Sequence, residues 1–382
     1  MTVSRPALFP SAFHPHVGGV EELTRQLALE QVRVGMQPLV VANQWPRELP
    51  VTDRVDGLPV RRLPFRTLGL RPRHLAGWAV HATRTHGRTT ELLREWKADL
   101  VHVQCVSSNA PFAGRASQTL DLPLVVSSQG ELSMDANHTF ERSALARSMM
   151  RRALARADVI TGCSQFVIDE INHFTAGKFA AKARVISNGI DVEECSNAIP
   201  ASRGRPYVLG LGRLVPQKGF DVLIRAFESL APDLLDHELV IAGDGPERAR
   251  LMKLVDDRQL GSRTHFTGLV EHREALELMA GASAFVLCST HEPQGIVVLE
   301  AMAVGTPVIA SAVGGVPEIV DGTNGFLFPA NDQHALATRV REVLLDNATA
   351  DDLRQSGRAT ANRFSWSTIT KEYASAYQDA GA

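Results

Sequence analysis

The segment from Ala284 to Ser311, AFVLCSTHEPQGIVVLEAMAVGTPVIAS, constrains the fold of this chain most. It opens with AFVLCS, an apolar run short enough to be a strand buried on both faces, as strands of parallel sheets are. A loop carrying Glu292 and Gly295 follows, then a short helix with Glu300, a helix-stopping glycine at Gly305 and a second apolar strand, VIAS. Strand, loop, helix, loop, strand is a βαβ unit. Its first loop lies at a strand's carboxyl end and a helix's amino end, where open α/β sheets bind anionic ligands. A carboxylate there suits a polyhydroxylated ligand, because its two oxygens accept paired hydrogen bonds from vicinal hydroxyls. A sugar joined to a nucleotide diphosphate offers diols for the glutamates and phosphates for the helix terminus.

Two series of such units run along the chain. In the first, ALFPSAF precedes VEELTRQLALEQVRVG, where Val20, Leu23, Leu27 and Val34 keep helical spacing and Gly35 stands ready as a C-cap. PLVVAN, LVHVQC, LPLVVSSQ and DVITGCS read as further strands. The second series is YVLGLG, ELVIAG, THFTG, AFVLCS, PVIAS and GFLF. It starts after the polar, proline-bearing stretch Glu193–Pro206. This alternation predicts an α/β protein with parallel sheets covered on both faces. The boundary is expected near residue 200, giving domains of 1–200 and 201–363, and 382 residues are enough for each to bury its own core. There is no internal repeat.

Composition excludes several classes. Hydrophobic content of 44% and charged content of 21% are those of a globular protein, and a formal charge of −2 gives no reason to expect nucleic acid as a partner. Cys105, Cys163, Cys195 and Cys288 have no C-x-x-C spacing and read as reduced, buried thiols. The N-terminal MTVSRPALFPSAF is a poor signal peptide, and no window of about 18 apolar residues escapes interruption by charge. A cytoplasmic protein without a membrane span is expected.

Further residues carry chemistry. Gly18 and Gly19 lie between a strand and a helix, where a backbone without Cβ approaches a phosphate or sugar closely, or simply turns tightly. The segment is not a G-x-G-x-x-G fingerprint. Arg213 and Lys218 follow the strand YVLGLG. Glycosyl transfer from a nucleotide sugar leaves a diphosphate on which negative charge grows. Many transferases meet that charge with a metal held by a D-x-D motif, and this chain contains no D-x-D triplet. An arginine fork and a lysine point charge supply the same compensation, so no metal is expected. The plain alternative for both is a solvated pair of surface bases.

The Glu292–Glu300 block resembles the E-x7-E signature of the retaining family 4 glycosyltransferases, which have the GT-B fold. FHPHVGGVEELTRQLA is similar to that family's glycine loop, and VISNGID (Val185–Asp191) to its interdomain stretch. Gly210–Phe227 resembles its phosphate-binding segment, and IAGDGPERARL and GGVPEIVDGTNGFLF follow in the expected order. The resemblance implies two Rossmann-like doubly wound domains facing across a cleft. The last helix, about 364–380, would pack back on the first domain. It also implies that Arg213 and Lys218 bind the diphosphate, Glu300 the ribose and Glu292 the donor sugar, with amides near Gly295 and Ile296 on donor oxygens. Gly18 and Gly19 would form the donor loop, and Gly243, Asp244 and Leu269 would lie against the base. One departure stands out: where the family often has a histidine after the strand LPLVVSSQ, this chain has Gln129, which hydrogen-bonds but takes up no proton. His138 is a remote candidate to compensate.

Other candidates read as structural. His14 and His16 stand two apart on a proline-broken loop with no third metal ligand near. His102 alternates with Val101 and Val103 on a strand, and Asn109 is a guess at acceptor contact. Glu141–Asp158 reads as one helix with Arg142, Arg147, Arg151, Arg152 and Arg156 flanking an apolar arc of Ala146, Met150, Ala153, Leu154 and Ala157. Such a helix packs on the sheet with its arginines in water, or lies peripherally on an anionic membrane.

The reading is a metal-independent, retaining glycosyltransferase moving a sugar from a UDP- or GDP-sugar to a glycan, lipid-linked or small-molecule acceptor. The alternatives are a GT-B-fold nucleotide-sugar epimerase and a catalytically silent nucleotide-sugar-binding protein.

Overall fold

Strands and helices alternate along the whole computed structural model, which describes residues 3–16, 18–66, 75–133, 139–230 and 236–381. Two units result, Met1–Asn188 with Trp366–Ala382, and Gly189–Ser365.

The first unit has eight strands: β1 (Pro6–Phe9), β2 (Leu39–Asn43), β3 (Thr52–Val55), β4 (Leu58–Leu63), β5 (Leu100–Val103), β6 (Leu124–Ser128), β7 (Val159–Gly162) and β8 (Ala183–Val185). Their order is β3-β4-β2-β1-β5-β6-β7-β8. All pairings are parallel except β3 with β4, an antiparallel hairpin on the edge. The hairpin turns through Asp56 and Gly57, both at positive φ, as tight two-residue hairpin loops require. The sequence reading missed it, although Asp-Gly between short runs was its signal.

The second unit has six parallel strands: β9 (Tyr207–Leu211), β10 (Glu238–Ala242), β11 (Thr264–Gly268), β12 (Ala284–Leu287), β13 (Val308–Ser311) and β14 (Phe326–Phe328). Their order is β11-β10-β9-β12-β13-β14. Successive side chains point to opposite faces. Val208, Leu239, Ile241, Ala284 and Val286 join one buried cluster, while Leu209, Val240, Ala242, Phe285 and Leu287 join another. Both faces are covered, which is why these strands are apolar throughout rather than alternating.

The division falls at Asn188, a dozen residues before the expected boundary. Ile190 and Cys195 are buried in the second unit's core, and Ile190 bridges to Ser365, so the chain has joined that unit before it reaches Pro200. The last helix, Trp366–Asp379, belongs to the first unit. Trp366, Ile369, Tyr373, Ala376 and Tyr377 form one helical stripe buried against Leu27, Leu100, Val125 and Val159.

The first helix spans Gly19–Arg33, with Gly35 just beyond it at φ 88. Of its expected apolar face only Leu27 is fully buried, and Val34 is exposed. The buried face instead includes Thr24, Glu30 and Gln31. Gln31 is held there by a side-chain bond to the Tyr377 hydroxyl at 3.0 Å.

Glu141–Asp158 is not one helix. Ser143 ends Thr139–Arg142 and caps Ala144–Arg156 by accepting from Ala146 N at 3.2 Å. Met150, Ala153, Leu154 and Ala157 of its apolar arc are in the first unit's core, while Ala146 is only half-buried. Among the described residues no helix is long and apolar enough to cross a membrane.

Candidate active site

In the second unit β9 lies between β10, which follows it, and β12, reached by a crossover. The chain changes its direction of progress between β9 and β12. Open α/β sheets bind ligands outside the strands' carboxyl ends at such a switch point. The loops leaving β9 and β12 therefore decide what this unit can do.

The β9 loop brings Lys218 and the β12 loop brings Glu292, and the two meet. Lys218 Nζ donates to Glu292 Oε2 at 2.6 Å, both side chains mostly buried. A charge-assisted bond of this length is strong, and partial burial raises the cost of leaving either charge alone. Ser289 Oγ donates to the same carboxylate oxygen at 3.2 Å. The Ser289 carbonyl in turn accepts from Ser311 Oγ of β13 at 2.6 Å. Thr290 N donates to Gln217 O at 2.7 Å, tying the two loops by their backbones as well.

The backbone of Glu292 is gripped from a third direction. Gly315 N donates to Glu292 O at 3.1 Å. Gly314 has φ +55, and a Cβ there would lie 1.9 Å from Glu292 O. Only glycine permits that approach. Ser289 and Gly314 thus shape the site, and the sequence reading named neither for it.

The remaining donor candidates have separate surroundings. Arg213 is exposed and makes no ion pair among the described residues. Gly295 (φ 95) caps the helix Ile296–Val304, whose first residue, Ile296, packs against the core. Glu300 lies a turn into that helix, with its side chain 16% exposed and His272 Nδ1 at 4.0 Å. His272 also stands 3.7 Å from Glu194. Gly243 N donates to Gly268 O at 2.8 Å, joining the β10 and β11 loops, and a Cβ on Gly243 would lie 2.0 Å from Gly212 O. Asp244 accepts from Gly245 N at 2.7 Å and pairs with Arg248 at 3.5 Å, so its carboxylate braces its own turn. Leu269 is 85% exposed, an apolar surface at the carboxyl end of β11.

In the first unit the switch point lies between β1 and β5. Gly18 is the N-cap of the first helix and Gly19 its first residue. A Cβ on Gly19 would touch nothing within 4 Å, so the protein's own packing does not demand glycine there. Asn109, guessed to contact an acceptor, is fully buried and donates to Phe9 O and Pro10 O at 2.7 and 2.8 Å. It staples β1 to β5 and is structural. His102 is buried too, bonded to Tyr377, Gln104 and Ser127 at 2.8, 2.8 and 2.7 Å. Burial drops its pKa to about 3. His14 Nε2 lies 3.9 Å from Glu22, and His138 is outside the described residues.

Gln129 follows β6 and is fixed at both ends. Its side-chain Oε1 accepts from Asn188 Nδ2 at 2.9 Å, and its backbone N donates to Glu131 Oε2 at 2.8 Å. Glu131 also accepts from Val106 N at 2.9 Å and from the Ser128 hydroxyl, so one carboxylate clamps the β5 and β6 loops. Ser133 donates to Glu170 at 3.1 Å. Burial, with the nearby Glu131 charge adding to it, raises Glu170 to about 7. The sequence reading missed Glu131, Glu170 and Asn188, because the contacts that single them out are tertiary.

Two doubly wound units of this order define a protein of the GT-B class. Residues 191–360 match the model for group 1 glycosyl transferases, and residues 17–194 that for Glycosyltransferase Family 4. A glycogen synthase of Mycobacterium tuberculosis is 32% identical over 290 residues, 74% of this chain and 69% of the relative. A GDP-mannose-dependent monoacylated alpha-(1-6)-phosphatidylinositol monomannoside mannosyltransferase of Corynebacterium glutamicum is 26% identical over 390 residues, 96% of each chain. The structure of Anabaena HepE in complex with UDP superposes with a TM-score of 0.75 at 23% identity, over 97% of this chain and 98% of the other. The chain belongs to the family 4 glycosyltransferases.

Proposed function

We propose that this enzyme transfers a sugar from a nucleotide diphosphate-sugar to a hydroxyl of a glycan, lipid-linked or small-molecule acceptor, with retention and without a metal. The observation that carries the reading is the Lys218–Glu292 pair, set at the switch point of the second sheet. Lys218 and Arg213 meet the charge that grows on the leaving diphosphate, and Glu292 receives hydroxyls of the donor sugar. Glu300 takes the ribose hydroxyls, and the amides at Gly295 and Ile296 face donor oxygens. Leu269, with the backbone at Gly243 and Asp244, lies against the base.

In the first unit the amides at Gly18 and Gly19 offer a terminus for donor oxygens. Gln129, held by Asn188, donates to a sugar hydroxyl. A glutamine at this place suits front-face retention, in which the leaving phosphate itself receives the acceptor's proton. Peripheral membrane contact through Arg142–Arg156, if the acceptor is lipid-linked, uses the arginine flanks, since most of the apolar arc belongs to the core.

The Corynebacterium relative is named for GDP-mannose and the HepE structure holds UDP, which supports a nucleotide-sugar donor and puts both bases in the test. Binding and slow hydrolysis of UDP-, GDP- and ADP-sugars are measured in EDTA, in wild type and Glu292→Ala. One preferred donor, bound without metal and hydrolysed only by wild type, is expected. A strict demand for a divalent metal, or no nucleotide-sugar binding, overturns the reading. Release of an epimerised sugar nucleotide without acceptor identifies an epimerase, and tight binding without any turnover a silent binder.

A further inference from the structure

A cavity of about 610 Å³ lies in the first unit between the helices Ala110–Leu120 and Ala144–Arg156, reaching Ser108 after β5 and Arg66 after β4. None of the donor residues proposed above lines it. Its volume is in the range of about 300–1,000 Å³ usual for small-molecule sites. Its apolar walls include Phe112 and Met149. Four arginines, Arg66, Arg115, Arg152 and Arg156, also line it, and among the described lining residues there is no carboxylate.

Two of these cations, Arg115 and Arg152, are exposed and find no ion-pair partner among the described residues. The Arg156 stem packs beside Gly114, where a Cβ would lie 3.3 Å from Cδ, and its buried Nε has no hydrogen-bond partner. The Asp158 charge acts favourably on Arg156, and that carboxylate also accepts from Leu124 N at 2.8 Å. The other flank of the same helix differs: there Arg147 donates to Phe140 O and Arg151 lies over the Phe174 ring.

Apolar walls and the unpaired guanidinium groups of Arg115 and Arg152 in one hollow select a ligand with both an anion and a chain. Guanidinium forks match phosphate oxygens in geometry and charge. A sugar or a free anion would leave the apolar surface wet, and a neutral lipid would leave the charges unmatched. We propose that this cavity is a binding site for a phosphorylated lipid, with the phosphate on Arg115, Arg152 and Arg156 and the first methylenes of the chain against Phe112 and Met149. The site rests on none of the residues assigned to donor binding.

The test is calorimetric binding of monomeric dodecyl phosphate to the full chain, with dodecyl maltoside and inorganic phosphate as separate titrants. Dodecyl phosphate is expected to bind at least tenfold more tightly than either, and more weakly as salt rises. Arg115→Glu/Arg152→Glu changes only exposed side chains and is expected to lose at least tenfold in that affinity. Met149→Glu, which charges the apolar wall, is expected to lose it as well. Nucleotide-sugar binding, measured on the same samples, should not change and reports intact folding. Equal binding of inorganic phosphate would make this a plain anion site, and equal binding of dodecyl maltoside a plain apolar hollow. Either result overturns the proposal. So does unchanged affinity in both variants, or variant-sensitive binding to anionic phosphatidylglycerol vesicles with no binding of the monomeric titrant.

Discussion

Lys218 Nζ and Glu292 Oε2 lie 2.6 Å apart although 74 residues separate them in the chain. The pair joins the loops of β9 and β12, and removing one partner strands the other in a partly buried place. Lys218→Ala should lower stability by roughly 1–3 kcal/mol, the cost of an unsatisfied buried polar group. Lys218→Ala/Glu292→Ala should cost less than the sum of the two singles. Urea unfolding of the four proteins checks this, and simple additivity would mean the pair contributes no coupling. Turnover should fall at least a hundredfold in every variant.

Two glycines should separate folding from function. Gly19→Ala has open space around its Cβ and starts a helix, so stability should hold or rise by up to about 1 kcal/mol. Donor use should nevertheless fall, because the methyl group stands before the helix amides. Gly314→Ala should cost stability by about 2 kcal/mol or more, since its Cβ would overlap Glu292 O at a positive φ. Melting curves with donor hydrolysis on the same samples decide. An active Gly19→Ala enzyme would remove that loop from the site.

Acid should loosen the first unit through His102. Gln104 Nε2 donates to His102 Nδ1, so the neutral ring carries its proton on Nε2 and gives it to Ser127. The folded pKa of about 3 lies far below the usual 6.5. Between those values the unfolded chain binds a proton that the folded one refuses, so stability falls as pH drops through this window. His102→Gln should start less stable at pH 7.5 and lose less on acidification to pH 5. Parallel pH slopes for the two proteins would exclude His102 as the source.

Glu170 carries the opposite slope. Its folded pKa of about 7 lies above the ordinary 4.5, so ionisation costs stability as pH rises from about 4.5 to 7. Glu170→Gln should leave stability unchanged near pH 4 and raise it by about 1 kcal/mol at pH 8, after allowing for solvent screening of a partly exposed group. Chemical denaturation at the two pH values measures the difference. Equal stability at pH 8 would show that the carboxyl ionises there without penalty.

Much of the architecture was legible before any coordinates. Apolar runs such as LVVAN, YVLGL and ELVIA carry the strand signal within a few residues, and Gly35 and Gly305 mark helix ends. The Asp-Gly turn of the edge hairpin was a local signal as well, and the break at Ser143 lay hidden under the longer helical period of Glu141–Asp158. Glu131 was not legible, because nothing in SSQGELS says that its carboxylate will hold Val106 N. Asn109 misled for the same reason: a polar residue past a strand end reads as a ligand until its partners, Phe9 O and Pro10 O, are seen.

By itself the sequence determined the alternation of strands and helices, the two series they fall into, and which loops carry cations, carboxylates and glycines. Those are properties of neighbouring residues, written in hydrophobic period and backbone freedom. Only the tertiary structure decided that Lys218 meets Glu292, that Gln129 is held by Asn188, and that the arginines of one helix line an apolar hollow beside another. Strand order and helix packing bring together residues tens to hundreds of positions apart, and their contacts exist only once both cores have formed.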